Sequence, residues 1–191
     1  MEMQVSRTTV NVPFPFSFSD NNALIFGKYD FTNVNISLQS DSRKALSGSA
    51  GYTGGQFYDG TQVGLNVSAT YRIQPWGRFS LKAEWNRINL PPSDPSVSGV
   101  TKLILVSPKS EISFNRNVHW TTFFQFNTQS NNFNINSRLQ WRFRPMSDFF
   151  LVYTDNYFAD EERDAARNLL NSRFDKKNRA LVCKLTYWLN L

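Results

Sequence analysis

Residues 133–157, FNINSRLQWRFRPMSDFFLVYTDNY, decide the fold: two alternating runs meet at one tight polar turn. In the first run Ile135, Ser137, Leu139, Trp141 and Phe143 share a face. Asn134, Asn136, Arg138, Gln140, Arg142 and Arg144 share the other. A strand sends successive side chains to opposite faces, so the run is a ribbon with one apolar side and one side of amides and guanidinium groups. A soluble sheet would bury the first side in a core. A membrane barrel would turn it toward lipid and keep the second side in a wet lumen.

The same texture recurs along the chain. Residues 61–73 set Val63, Leu65, Val67, Ala69, Tyr71 and Ile73 against Gln62, Gly64, Asn66, Ser68, Thr70 and Arg72. Residues 78–87 return with Phe79, Leu81, Ala83 and Trp85 opposite Arg78, Ser80, Lys82, Glu84 and Asn86. Residues 28–40 place Val34, Ile36 and Leu38 opposite Asn33, Asn35, Ser37 and Gln39. Residues 118–128 carry Trp120, Thr122, Phe124 and Phe126 on one side, and residues 180–191 carry Leu181, Cys183, Leu185, Tyr187, Leu189 and Leu191. The glycine-rich run 45–57 suits a sharply curved strand, and Asp59-Gly60 is a hairpin signal. Residues 5–18 alternate too, but Pro13 and Pro15 remove ladder donors and predict an edge strand. Residues 102–114 are irregular, and Pro108 predicts a bulge. With residues 133–144 and 147–157, ten strands are expected.

Composition agrees. The chain has 17 Phe, 7 Tyr and 5 Trp, yet its mean hydropathy is −0.44. No apolar run approaches the ~18 residues of a membrane helix, a result that says nothing against a barrel. The formal charge is +6, with the cations dispersed, so a nucleic-acid arm is not expected. One cysteine, Cys183, excludes an intramolecular disulfide and reads as a small hydrophobe. MEMQVSRTTV lacks the apolar stretch of an export signal, so the chain reads as the C-terminal part of a longer exported protein.

Connections near 41–44, 74–77, 115–117 and 144–148 are short. Those at 88–101 and 158–179 are long, and both fall at the other end, as in outer-membrane barrels, although 58–60 and 129–132 at that end are short too. The segment 158–179 is a polar extracellular loop in which Asp160 is placed to cap a short helix. Trp76, Trp85, Trp120, Trp141 and Trp188 fall near strand ends, where aromatic girdles sit.

RLQWRFRPMSDFFLVY resembles the closing hairpin of a family of outer-membrane barrel domains of unknown function. FFQFN at 123–127 resembles that family's preceding strand, GYTGGQFYDG at 51–60 a glycine-rich hairpin, and LVCKLTYWLNL the terminal strand. The resemblance covers most of the chain from about residue 20. Met146 departs from the glycine more usual in the closing turn. The resemblance implies an outer-membrane location, lipid bilayer and lipopolysaccharide as surroundings, and recognition of the last strand by the barrel-assembly machinery. It also implies a periplasmic domain upstream resembling a carbohydrate-binding module. It implies no reaction and no cofactor.

The expected fold is therefore all-β: an antiparallel up-and-down transmembrane barrel of about ten strands, or the C-terminal part of a larger one. Arg72, Lys82, Arg138, Arg142, Arg144 and Lys184 are the expected lumen-facing cations. They are suited to anionic or glycan solutes, unless they merely tie to neighbouring polar groups. His119, the sole histidine, has neither the partners of a metal site nor a clear catalytic serine; Ser130 with Asn131 is the pairing a hydrolase would need. Two alternatives remain: a soluble β-barrel binding an apolar ligand, and a membrane-embedded hydrolase.

Overall fold

The structure, a computed structural model, describes residues 1–19, 22–24, 26–91, 99–163 and 168–189. All regular elements among them are strands. In chain order they are β1 (Glu2–Val12), β2 (Phe16–Ser19), β3 (Asn22–Leu24), β4 (Gly27–Gln39), β5 (Leu46–Phe57), β6 (Gly60–Ile73) and β7 (Gly77–Asn89). Then follow β8 (Val100–Ser113), β9 (Val118–Asn127), β10 (Asn132–Arg144), β11 (Ser147–Tyr157), β12 (Glu162–Arg163), β13 (Leu169–Asn171) and β14 (Lys176–Thr186). Ten of them form one antiparallel up-and-down sheet, β1-β4-β5-β6-β7-β8-β9-β10-β11-β14; β2–β3 and β12–β13 are small separate hairpins. Among the described residues β1 and β14 each have one neighbour. Among these residues the sheet therefore has two edges and is not closed on itself.

The register explains the two-faced texture. Leu139 pairs with Leu151 on one side and Trp120 on the other, while Arg138 pairs with Val152 and Thr121. Adjacent strands keep like residues on like faces, so each face is continuous across β9, β10 and β11.

Several local expectations are corrected. The run 5–18 is broken at Pro13–Pro15: β1 ends at Val12, and β2 pairs with β3 instead. Neither Pro13 nor Pro15 enters the long ladder, which their missing donors explain. Pro108 makes no bulge; the β8–β9 ladder skips Ser107 and Pro108 and resumes in the same register. The helix expected after Asp160 is absent among the described residues. There β12 pairs with β13, and Asp160 accepts a bond from the next residue, Glu161, rather than from a helical turn. The last strand begins at Lys176 and ends at Thr186, earlier than the expected 180–191. Asn190 and Leu191, the end of the expected assembly signal, lie outside the described residues.

The chain divides into two compact units. The first comprises Met1–Ser40, Gly48–Val67 and Glu84–Leu103; the second comprises Asp41–Ser47, Ser68–Ala83 and Ile104–Leu191. The first holds two small apolar clusters. In one, Val12, Tyr29 and Phe31 are buried with Val10 and Tyr58; in the other, Ile88 and Leu90 are buried with Phe57, Tyr58 and Leu103. Tyr58, in the β5–β6 turn, belongs to both, its ring 5.2 Å from that of Tyr29 and 4.9 Å from that of Phe57. Ala159 is the one buried apolar residue of the second unit among those described.

Two backbone positions carry sequence-specific constraints. Gly60 passes so close to β7 that a Cβ there would lie 1.9 Å from the Asn89 carbonyl oxygen. Met146, in the β10–β11 turn, has φ +57°, the left-handed region that favours glycine. Gly60→Ala is expected to destabilise the fold by about 1–3 kcal/mol, as overpacking does. Met146→Gly is expected to stabilise it, by up to about 1 kcal/mol once glycine's greater chain entropy offsets the relieved left-handed strain. Equilibrium unfolding of the two variants checks both signs.

Candidate functional site

The polar face of β9, β10, β11 and β14 is a network built by register. Asn134, Asn156 and Asn178 lie opposite one another on three adjacent strands, and their side-chain amides bond in series. One step along, Asn136 Nδ2 donates to Thr154 Oγ1 at 2.8 Å. Further on, Asp148 Oδ1 accepts from Gln140 Nε2 and Arg142 Nε, each at 3.2 Å. The Arg138 guanidinium lies over the Phe150 ring, 4.7 Å from its centroid. This wall offers amides and hydroxyls in rows.

Arg138, Arg142 and Lys184 share this face, Lys184 standing opposite Phe150. Arg144 does not. A register shift between Arg142 and Arg144 carries it to Tyr187, whose hydroxyl accepts from Arg144 Nη1 at 2.8 Å. Tyr187 also stacks on Phe143. Arg72 donates to the Ser42 carbonyl at 2.8 Å, closing over the β4–β5 connection. Lys82 is exposed on β7. Of the six expected lumen cations, Arg142 is paired with a carboxylate, Asp148, while Arg72, Arg138 and Arg144 bond to or stack on neutral groups and so keep their charge. In the β4–β5 connection itself, Asp41's carboxyl is held below its ordinary range by bonds from the Arg43 guanidinium and then from the Arg43 backbone N–H.

The tryptophans behave as surface groups. Trp76, Trp120, Trp141 and Trp188 are all exposed, and Trp85 is half-buried. Trp120 and Trp141 lie on the same face as Leu139. Trp120 Nε1 donates to Ser137 Oγ at 2.8 Å, so this indole keeps its polar atom satisfied while its rings stay uncovered. Next to them a hollow of about 380 Å³ opens on the apolar face, lined by Ala69, Tyr71, Phe79, Leu81, Pro108 and Phe124, among others.

One cluster was not singled out by the sequence reading. Asp155 has no exposure at all, although it sits on the apolar face between Ile135 and Arg179. Its Oδ2 accepts from the hydroxyls of Tyr153 and Tyr157, each at 2.6 Å, and from Arg179 Nε at 2.7 Å. Arg179 Nη2 completes the ion pair and also donates to Tyr157 Oη at 3.1 Å. Asp155 Oδ1 has no partner among the described residues. The signal was the alternation Tyr-x-Asp-x-Tyr, which puts all three side chains on one face.

His119 Nδ1 lies 3.0 Å from Ser113 Oγ, in a hollow with Pro75, Trp76 and Arg116. Ser130 is beyond the far end of β9, about 30 Å away at ~3.3 Å per residue, so the Ser130–Asn131 pairing is overturned. The partner of the imidazole there is a hydroxyl, not a carboxylate. Among the described residues no group of histidine, cysteine, aspartate and glutamate is arranged to hold a metal ion. Cys183 is exposed on β14, opposite Leu151. No family model, curated protein or solved structure matches the chain.

A buried carboxylate that loses its cation is worse off than one replaced by an amide. Arg179→Met is expected to lower the unfolding midpoint more than Asp155→Asn, and the double variant to lie above Arg179→Met alone. Urea unfolding of the three proteins checks the order.

Proposed function

We propose that this chain is a non-enzymatic integral outer-membrane β-barrel protein, or the C-terminal part of one, whose polar wall passes or docks glycans or other polar solutes. The observation that carries this reading is the exposure of the apolar face. Val67 is 51% exposed, Leu81 43% and Leu185 65%, and no second layer covers them among the described residues. Among the described residues only six apolar ones are buried: Val12, Tyr29, Phe31, Ile88, Leu90 and Ala159. Large exposed apolar faces mark a membrane or partner surface, since water penalises each at about 25 cal/mol per Å².

The dimensions fit. On β6 the apolar positions run from Val63 to Ile73, ~34 Å along the strand, and a ~45° tilt reduces that to ~24 Å, close to the ~25 Å apolar band of such barrels. In hydrocarbon the free backbone groups of β1 and β14 would cost several kcal/mol each, which is why the reading includes barrel closure. The asparagine rows favour polar solutes, and Arg138, Lys184 and the other cations without a carboxylate partner suit solutes that carry negative charge. The resemblance to the outer-membrane barrel family, the surrounding lipopolysaccharide and delivery by the assembly machinery belong to this same proposal.

The test is tryptophan emission from the chain reconstituted in bilayers with brominated acyl chains. Quenching of Trp120, Trp141 and Trp188, read in single-tryptophan variants, is expected. Emission unaffected by the bromines would return the chain to the soluble alternative. Planar-bilayer recording of the same protein then separates passage, which gives discrete conductance, from docking, which gives none.

A further inference from the structure

In the first unit the two-faced pattern inverts on both faces of β1, β4 and β7, and on β1 and β4 it does so at paired positions. On β4, Val34, Ile36 and Leu38 form an apolar row, but the same face continues as Thr32, Asp30 and Lys28. The opposite face does the reverse: Asn33, Asn35, Ser37 and Gln39 give way to the buried Phe31 and Tyr29. β1 switches beside it. Val5 and Met3 pair with Val34 and Ile36, whereas Arg7, Thr9 and Asn11 pair with Thr32, Asp30 and Lys28. On its other side Gln4 and Ser6 give way, past Thr8, to Val10 and Val12. On β7, Trp85 is followed on its face by Arg87 and Asn89, while Glu84 and Asn86 are followed on theirs by the buried Ile88 and Leu90. On β5 the row Ser49, Gly51, Thr53 and Gly55 ends in Phe57, and Gly55 stands opposite Asn33.

A single sheet in a single medium has no reason to exchange its faces at a common level on neighbouring strands. A sheet that crosses from hydrocarbon into water does. Inside the bilayer its outer face meets lipid and its inner face water. Beyond the boundary the outer face meets water, and strands that are no longer held by lipid need an apolar cluster of their own. The switch also carries the interface signature, with Trp85 immediately before Arg87, and Lys28 and Arg7 on the side where headgroups lie.

We infer that the lipid–water boundary crosses this unit between Val34 and Thr32 on β4, Val5 and Arg7 on β1, and Trp85 and Arg87 on β7. The strand ends carrying Tyr29, Phe31, Ile88 and Leu90 form a folded cap outside the bilayer. This inference rests on the membrane reading above and assigns the depth at which the chain sits.

The experiment uses the full chain in nanodiscs, with Cys183→Ser and one cysteine introduced at a time: Lys28→Cys and Arg87→Cys above the proposed boundary, Leu38→Cys and Leu65→Cys below it. All four native positions are exposed in the bare chain. Each variant is reacted with a charged maleimide and compared with its SDS-denatured self. The expected result is full labelling of the first pair and loss of labelling of the second. Protection of all four would keep the membrane reading and overturn the boundary. Labelling of all four would overturn both. Two positions at each level guard against one variant misfolding.

Discussion

A strand cannot present an apolar side chain without presenting its other face at the next residue. Across β9, β10, β11 and β14 the register turns that local rule into two faces of different chemistry, and much else in this molecule follows from which medium each face meets. In a soluble sheet the apolar surface would be the better covered one. Here Leu185 and Val67 stand open on it, and its fully buried member is a carboxylate, Asp155, bonded to Tyr153, Tyr157 and Arg179. The polar surface is the one with internal order, through its asparagine series and the Asp148 bonds to Gln140 and Arg142.

Buried polarity is placed where strands leave their regular run. Asp155 and Arg179 tie β11 to the edge strand β14 just before the chain enters the 158–175 connection. That connection is fastened again on its far side, where Asp160 N and Lys177 Nζ donate to Asn131 Oδ1 and to the Asn131 carbonyl. Lys177 also caps the Phe158 ring at 4.4 Å. Within the segment DEERDAARNLL, which has the composition of a helix, the described residues Glu162–Arg163 and Leu169–Leu170 lie in paired strands.

Much of this was legible in the sequence, because a period of two survives in the residues whatever the medium. The ten strands, the edge position of β1, the alternating turns and the common face of Arg138, Arg142 and Lys184 could all be read from it. Strand ends were not, since Pro13 and Pro15 stop a ladder without disturbing the alternation of Val10, Val12, Phe14 and Phe16. Arg144 was misplaced because a one-residue register shift is invisible to periodicity. The Asp155 cluster was missed because its arginine comes from another strand. The inversion at Thr32 and Arg87 was present in the letters, but reading Val34, Ile36 and Leu38 as the whole of a strand's apolar face conceals the buried Tyr29 and Phe31 on the other.

The central claim is that one face of the sheet touches lipid while the other touches water, and β10 tests it most directly. Nitroxide labels placed one at a time from Ile135 to Trp141, in the bilayer-reconstituted chain, report collision with oxygen in lipid and with a water-soluble nickel chelate. The account predicts a strict alternation: oxygen contact at 135, 137, 139 and 141, nickel contact at 136, 138 and 140. Nickel contact at all seven positions, or contact with neither reagent at the odd ones, would contradict it.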